Sequence, residues 1–212
     1  MSIKITEIFF SIQGESKTVG YPTVFIRLTG CPMRCSYCDT AYAFHGGKKT
    51  EIEEIISEVR QYSAKHVTVT GGEPLAQPGC LQLLTELCDL NYEVSLETGG
   101  AIDISQVDAR VYIVLDVKTP ASLEEPNNKY TNFDFIKSSD AFKFVICDEK
   151  DYQWSKLLVE QQGLDKKCEV FFSPSAEQLN ATDLADWIIR DQIPVRMQLQ
   201  LHKILWNNEA GR

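Results

Sequence analysis

Strand-like and helix-like segments alternate along most of this sequence. Residues 23–30 have the composition of a buried strand, and residues 50–62 repeat their isoleucines and Val59 on one helical face. Such alternation is typical of parallel strands joined by helical crossovers. The 212 residues are few for a complete eight-fold barrel, which takes about 250. The pattern therefore predicts an α/β fold, a partial, open (β/α) barrel of about six parallel strands.

The composition restricts the class of protein. Hydrophobic residues make up 43% and charged residues 24% of the chain, as in an ordinary globular domain. The net charge is −9, and Lys and Arg are scattered, which argues against a nucleic-acid surface. No apolar run approaches the roughly 20 residues of a membrane helix, and the N-terminus lacks the layout of a signal peptide. These features predict a single cytoplasmic domain, 1–212, with no nucleic-acid or membrane partner.

Three cysteines stand close together in "TGCPMRCSYCDT" (29–40), just after the first predicted strand. Cys31, Cys35 and Cys38 have the spacing C-x3-C-x2-C, and no fourth cysteine follows nearby. A structural zinc site takes four ligands, so His45 or Asp39 would have to complete it. Thiolates also bind iron–sulfur clusters. Three thiolates would leave one iron of a 4Fe-4S cluster open to another ligand, and the spacing favours this interpretation.

The other four cysteines are dispersed in apolar segments, which predicts buried small side chains. Several predicted strands instead end in polar or glycine-rich turns, as in "TGGEP" (70–74), where α/β folds bind ligands. Taken alone, "TGGEP" is only a turn. Its glycines would nevertheless let the backbone approach a ligand closely.

Four further features each allow two interpretations. "FFSIQGES" (9–16) is either a binding turn or an edge strand ending in a turn, and Arg27 is a charge in an apolar strand that needs a partner or an anion. Thr40 offers a hydroxyl to a hard cation or caps a helix. In "QLQLHK", Gln198, Gln200 and His202 would share one face of a strand, functional or solvated.

The cysteine spacing, with Tyr37 just before the last cysteine, and "TGGEP" one βα unit later resemble the radical S-adenosylmethionine (SAM) superfamily. From "EIFFSIQGES" and "VFIRLTGCPMRCSYCDT" to "QLQLHK", the sequence resembles the 7-carboxy-7-deazaguanine synthase (QueE) family nearly end to end. "LETGG" and "DVKTP" match more loosely. "IQGE" and "CDT" are the most specific motifs.

The resemblance implies a lyase of deazapurine biosynthesis. A 5′-deoxyadenosyl radical would abstract hydrogen from C6 of 6-carboxy-5,6,7,8-tetrahydropterin, the ring would contract and ammonia would leave. The implied cofactors are a 4Fe-4S cluster on the three cysteines, SAM used catalytically, and Mg²⁺ bridging Thr40 and the substrate carboxylate. Flavodoxin or ferredoxin as electron donor and a homodimer are further implications.

The resemblance also implies a set of contacts. Lys118 and Lys143 also have an alternative interpretation as surface or strand-end cations. A substrate-binding extension (1–22) and a closing segment (195–212) are implied at the two ends. The implied SAM contacts are Tyr37, Cys38, Asp39, Gly71, Gly72, Glu73, Glu97, Lys118 and Ser173. The implied substrate contacts are Ile12, Gln13, Gly14, Glu15, Arg27, Thr70 and His202.

Two rival interpretations remain. A glycyl-radical-enzyme activase of the same superfamily would share the cysteines and the glycine-rich turn, but it would need a docking mouth for a protein substrate. A non-catalytic zinc-binding or iron-sensing module would hold metal without cleaving SAM. "SIQGES" and "CDT" argue against the activase, and the polar turns at successive strand ends argue against a binding-only role.

Overall fold

A nine-stranded sheet organises the described residues, 1–207, 209 and 211, of the computed structural model. The strands are β1 Ser2–Ile12, β2 Pro22–Leu28, β3 Lys48–Glu51, β4 His66–Gly71, β5 Glu93–Thr98, β6 Tyr112–Asp116, β7 Ala141–Ile146, β8 Glu169–Pro174 and β9 Arg196–Met197. The helices are α1 Ile52–Val59, α2 Gly79–Asp89, α3 Glu149–Gln162, α4 Leu164–Lys167, α5 Ala181–Asp191 and α6 Leu201–Trp206.

The sheet is mostly parallel and open. Its order is β3-β1-β2-β4-β5-β6-β7-β8-β9, and every pair from β2 onwards is parallel. This confirms the predicted α/β fold with an open, partial barrel. Two antiparallel strands, β1 and β3, extend the sheet beyond β2. Within the described residues, no helix is long and apolar enough to cross a bilayer.

The two faces of the sheet differ in polarity because neighbouring residues of a strand point to opposite sides. On β2, Val24, Ile26 and Leu28 are buried in the hydrophobic core with the inner faces of α1 and α2. Phe25 and Arg27 point to the opposite, concave face. That face carries the polar residues of the later strands, so the core fixes the direction of the functional side chains.

The C-terminal segment differs from its prediction. β9 has only two residues, and His202 lies in α6, so Gln198, Gln200 and His202 do not share one face of a strand. The chain leaves the sheet because the two glutamines bind the turn after β1. Gln198 Oε1 accepts from the Ser16 N–H at 2.6 Å, and Gln200 Nε2 donates to a Glu15 carboxylate oxygen at 2.7 Å.

Candidate active site

A cleft of about 280 Å³ opens at the carboxyl ends of the parallel strands. The turn after β1 and the C-terminal segment form its remaining sides. The predicted site residues that line the cleft are Ile12, Gln13, Gly14, Glu15, Arg27, Cys31, Cys35, Tyr37, Cys38, Asp39, Thr40, Thr70, Gly71, Gly72, Glu97, Lys118 and His202. Glu73 and Ser173 are not part of this lining.

The loop after β2 brings the three cysteines to one wall of the cleft. It is fixed from outside: Ser36 donates through its N–H to the Ser122 carbonyl at 3.0 Å, and Glu124 accepts from the Arg34 N–H at 2.5 Å. Burial raises the pKa of the Cys31 thiol and raises that of Cys35 to about 11. Binding a metal cluster as thiolates would therefore release protons.

The glycine-rich turn after β4 presses against this loop. A Cβ on Gly72 would lie 2.2 Å from the Gly30 carbonyl oxygen, and one on Gly71 would lie 2.3 Å from that of Leu28. Gly71 also has φ +147°, a conformation that side chains rarely adopt. The turn thus leaves its backbone exposed to the cleft beside the cysteines.

Glu73 lies beneath that turn rather than in the cleft. Its buried carboxylate accepts from the Thr98 hydroxyl and the Gly99 N–H, each at 2.8 Å, and from the Leu75 N–H at 3.1 Å. Burial raises its pKa above the usual range. Glu73 therefore ties the ends of β4 and β5 together, and this role needs no ligand.

The donor set suits a cluster better than a single ion. In the part of the chain that the structure describes, no three His, Cys, Asp or Glu side chains are placed to hold one metal ion. A 4Fe-4S cluster instead takes each thiolate on a separate iron. Three thiols along one wall, with a glycine cradle beside them, fit that group.

A charged group lies next to the cysteine wall. Lys118 is buried with its Nζ 3.0 Å from an Asp116 carboxylate oxygen and 5.8 Å from the ring centre of Tyr37. Burial works to lower the pKa of Lys118, but Asp116 outweighs it and the pKa lies well above the usual range. Lys118 is therefore a strand-end cation, as one alternative interpretation had it, but it is buried and not on the surface.

Asp39 and Thr40 lie where the cysteine loop meets the C-terminal helix. Asp39 is 2.7 Å from Lys203 Nζ and accepts from the Thr40 hydroxyl at 2.9 Å. Burial alone would raise the pKa of Asp39, but these partners lower it to about 2. Thr40 precedes the short 3₁₀ helix Ala41–Phe44 without capping it through its side chain.

An ion pair occupies the opposite side of the cleft. Glu15 pairs with Lys143, which projects from β7, and also accepts from Gln200. Burial would raise the pKa of Glu15, but Lys143 and Gln200 bring it below the usual range. On β5, burial and the charge of Glu15 raise the pKa of Glu97, which accepts from the Thr70 hydroxyl at 3.2 Å.

His202 packs directly over Gly14. The Leu201 N–H donates to the Gly14 carbonyl at 3.0 Å, and a Cβ on Gly14 would lie 2.3 Å from His202 Nδ1. Burial lowers the pKa of His202 below 6.5, so the imidazole is neutral at physiological pH. The absence of a side chain on Gly14 makes this contact possible.

Sequence reasoning missed several cleft residues. Among the missed residues, Lys143 had the clearest sequence signal. It is a lone cation inside the apolar strand "AFKFVI", the same feature that singled out Arg27. Asp116 had the predicted position at a strand end. Ser173 is buried in β8 with no hydrogen-bond partner among the described residues, while Ser175 lines the cleft. Missed polar lining residues include Tyr42, Asp116, Lys143, Ser175 and Lys203. Gln200 was singled out, but on a strand face that does not form.

Comparisons with known proteins agree with this geometry. Residues 25–138 match the model of the radical SAM superfamily. Relatives called 7-carboxy-7-deazaguanine synthase occur in Chlorobaculum tepidum, 45% identical over 98% of this chain and 96% of the relative, and in Clostridium acetobutylicum, 34% identical over the whole of both. The solved structure of QueE from Escherichia coli superposes with TM-score 0.74 at 22% identity, covering 95% of each chain.

The chain therefore belongs to the radical SAM superfamily, whose cofactors are a 4Fe-4S cluster and SAM. Within that superfamily it belongs to the 7-carboxy-7-deazaguanine synthase family. The structural likeness to QueE shows the shared fold. End-to-end similarity to this family does not favour the activase, and the cleft does not favour a zinc-binding or iron-sensing module.

Proposed function

We propose that this chain converts 6-carboxy-5,6,7,8-tetrahydropterin to 7-carboxy-7-deazaguanine and ammonia, as a radical SAM lyase of queuosine and deazapurine biosynthesis. The observation that carries the proposal is a single cleft. The three-cysteine loop forms one wall, and the turn after β1, with Arg27 and His202, forms the wall that would hold the pterin.

When bound, the cluster and SAM supply a 5′-deoxyadenosyl radical that removes hydrogen from C6 of the pterin. Cys31, Cys35 and Cys38 would hold the cluster, and the backbone of Gly71 and Gly72 would hold the SAM amino group. Tyr37, Asp39, Glu97 and Lys118 complete the proposed SAM contacts from the cleft. Glu73 and Ser173 do not line it and would act from behind the lining, Glu73 by fixing the glycine-rich turn. The part of the protein in this chemistry would be to position these groups and to limit the access of water.

The pterin contacts follow from charge and placement. Glu15 carries a lowered pKa and so stays ionised, which suits it to accept hydrogen bonds from the guanidine-like edge of a pterin. Arg27 would meet the substrate carboxylate, and neutral His202 would close over the ring. Ile12, Gln13 and Gly14 would contribute contacts from the turn, and Thr70 from the end of β4.

Thr40 is proposed to bind Mg²⁺. Its hydroxyl lines the cleft, lacks a capping role and lies beside the ionised Asp39, and oxygen ligands suit a hard cation. Removing Mg²⁺ with a chelator should lower the product rate, and the Thr40→Ala variant should need more Mg²⁺ to recover it. A product rate indifferent to chelator in both proteins would contradict this assignment.

The two chain ends would serve the substrate. The extension 1–22 supplies the turn that faces the pterin, and the closing segment 195–212 supplies His202. The predicted closing segment also includes Asn208, Ala210 and Arg212, which lie outside the described residues. A flavodoxin or ferredoxin would deliver the electron, and the enzyme would act as a homodimer in the cytoplasm, where seven free cysteines stay reduced.

The test is an anaerobic assay of the reconstituted protein with SAM, reductant, Mg²⁺ and the pterin, read by mass spectrometry. Product that depends on SAM supports the proposal, and Cys35→Ala, which lacks one cluster ligand, should make none. Release of 5′-deoxyadenosine without product would overturn the substrate assignment. If protein with a fully loaded cluster released neither product nor 5′-deoxyadenosine, that result would overturn the proposed enzymatic function.

A further inference from the structure

A β-bulge in β1 changes which face of the sheet its side chains occupy. Ile3 and Ile5 are buried in the core on the helix side, but two residues later Glu7 lies opposite Arg27 on the concave side. The register shifts between Ile5 and Glu7, so one extra residue, Thr6, reverses the alternation. Bulges beside active sites often redirect a side chain in this way.

The redirected Glu7 carboxylate binds Arg27 without lining the cleft. Its Oε1 accepts from Arg27 Nε at 2.7 Å and from the Tyr42 hydroxyl at 2.8 Å. Arg27 lines the cleft, whereas Glu7 is not part of the lining. Both side chains are largely shielded, with exposed fractions of 16% for Arg27 and 23% for Glu7. Glu7 thus contacts the arginine without facing the cleft.

Aromatic rings complete the setting of the guanidinium. Its central carbon lies 5.6 Å from the ring centre of Phe9 and 5.9 Å from that of Tyr42. Phe9 in turn stacks on Phe25 at 4.9 Å. Within the described residues, the hydrogen bonds of the Arg27 side chain go through Nε alone. Because Arg27 lines the cleft, its two terminal amino groups can offer a ligand there a planar fork that matches the geometry of a carboxylate.

We propose that Glu7 is a positioning residue that sets the specificity of this site for a carboxylated pterin. By holding Nε, it fixes the plane and direction of the Arg27 fork before the substrate arrives. Tyr42 holds Glu7 in turn and, two residues beyond Thr40, connects the fork to the proposed Mg²⁺ site. The inference rests on the proposed function, because the carboxylate that the fork would bind belongs to the proposed substrate.

The test measures inhibition or binding constants for two compounds, 6-carboxytetrahydropterin and tetrahydropterin without the carboxyl group, on the reconstituted enzyme. Hydrogen bonds to charged groups are among the stronger ones in proteins, so Glu7→Ala should weaken binding of the carboxylated compound about tenfold or more. Binding of the compound without the carboxyl group should stay within about twofold. KM should rise by the same factor with kcat nearly unchanged. Glu7→Gln, which keeps an acceptor oxygen, should recover most of the loss.

Two controls separate positioning from general damage. Glu53→Ala removes an exposed acidic side chain from α1 outside the cleft and should change neither constant. The Arg27→Lys variant lacks the fork. In that background, Glu7→Ala should weaken binding of the carboxylated compound little further, because in a double-mutant cycle two residues that act together are not additive.

The outcomes distinguish the two claims. Suppose that the wild-type enzyme binds both compounds. If Glu7→Ala then weakens the binding of both equally, or lowers only kcat, this inference alone is overturned. A wild-type enzyme that binds neither compound would overturn the proposed function and this inference together.

Discussion

At the scale of single residues, the site depends on side chains that are absent as much as on those that are present. Gly14, Gly71 and Gly72 each lie where a Cβ would approach another atom within 2.3 Å. Two of these contacts are with backbone oxygens, which cannot rotate away. Gly71 and Gly72 therefore set how closely the turn after β4 approaches β2 and the cysteine loop, and Gly14 sets how closely His202 approaches the turn after β1.

Gly72→Ala should lower the iron content of the reconstituted protein. The new methyl group would meet the Gly30 carbonyl oxygen at 2.2 Å and the Cys31 Cβ at 2.8 Å, so the cysteine loop must shift. Iron and sulfide analysis and the visible absorbance of the cluster measure the effect. Gly46→Ala is the control: Gly46 has a positive φ (+79°), which Gly72 lacks, but open space around its Cβ, so the substitution should cost about 1–2 kcal/mol of folding stability and leave the iron content unchanged. Equal iron in both variants would contradict the steric account.

Glu97→Gln should stabilise the cofactor-free protein at pH 8. Burial raises the pKa of Glu97 above 4.5, so the folded protein holds this proton more tightly than the unfolded chain. Ionising the carboxyl therefore costs stability as the pH rises, and below about 4.5 the cost vanishes because both states are protonated. Each kcal/mol recovered should raise Tm by about 2–4 °C in a chain of this size.

Thermal unfolding at pH 8 and pH 5 checks the direction of this pH dependence. The difference in Tm between Glu97→Gln and wild type should shrink at pH 5. Glu93→Gln is the control, because Glu93 lies on the same strand but is exposed and pairs with Lys65. A larger gain at the lower pH would contradict the raised pKa.

At the scale of elements, the two ends of the chain bind one another across the cleft. Gln198 exchanges two hydrogen bonds with the Ser16 backbone, at 2.6 and 2.9 Å, and Leu201 donates to Gly14. The ion pair between Lys203 and Asp39 attaches α6 to the cysteine loop. The helix thus closes the cleft through contacts with both of its walls.

Lys203→Ala should uncouple radical formation from product formation. Loss of the ion pair with Asp39 loosens α6 over the cleft and admits water, so the ratio of released 5′-deoxyadenosine to product should rise severalfold. Mass spectrometry of both species in the same reaction measures that ratio. Lys166→Ala, on α4 away from the cleft, is the matched control. An unchanged ratio with a uniformly lower rate would argue against closure by α6.

The sequence predicted elements best where one signal dominated. Apolar strands between turns identified the parallel sheet, and the cysteine spacing and glycine-rich turn located one wall of the cleft. The C-terminal strand was wrong because the alternation of Gln198, Gln200 and His202 reflects hydrogen bonds to the turn after β1, a partner distant in sequence. The role of Glu7 was hidden because the bulge that redirects it leaves no local pattern.

At the scale of the whole molecule, the fold explains why one short chain can hold cluster, SAM and substrate together. Successive parallel strands bring their carboxyl ends to one cleft. The antiparallel strand β1 adds Glu7, the partner of Arg27, and leads into the turn that carries Glu15. Helices α1 and α2 pack on the opposite face and enclose the core. The functional side chains of the strands thus project from one side of a single sheet, and the loop after β2, the turn after β1 and α6 supply the others around the same cleft.

The measurement that tests the central claim most directly uses 6-carboxytetrahydropterin labelled with deuterium at C6. Incubation with the reconstituted enzyme, SAM and reductant should yield 7-carboxy-7-deazaguanine and place deuterium in the recovered SAM, because the radical takes hydrogen from C6 and SAM is regenerated. Product formed with no deuterium in SAM or 5′-deoxyadenosine would contradict hydrogen abstraction at C6. Absence of product from protein with a complete cluster would contradict the assignment of this cleft to the pterin.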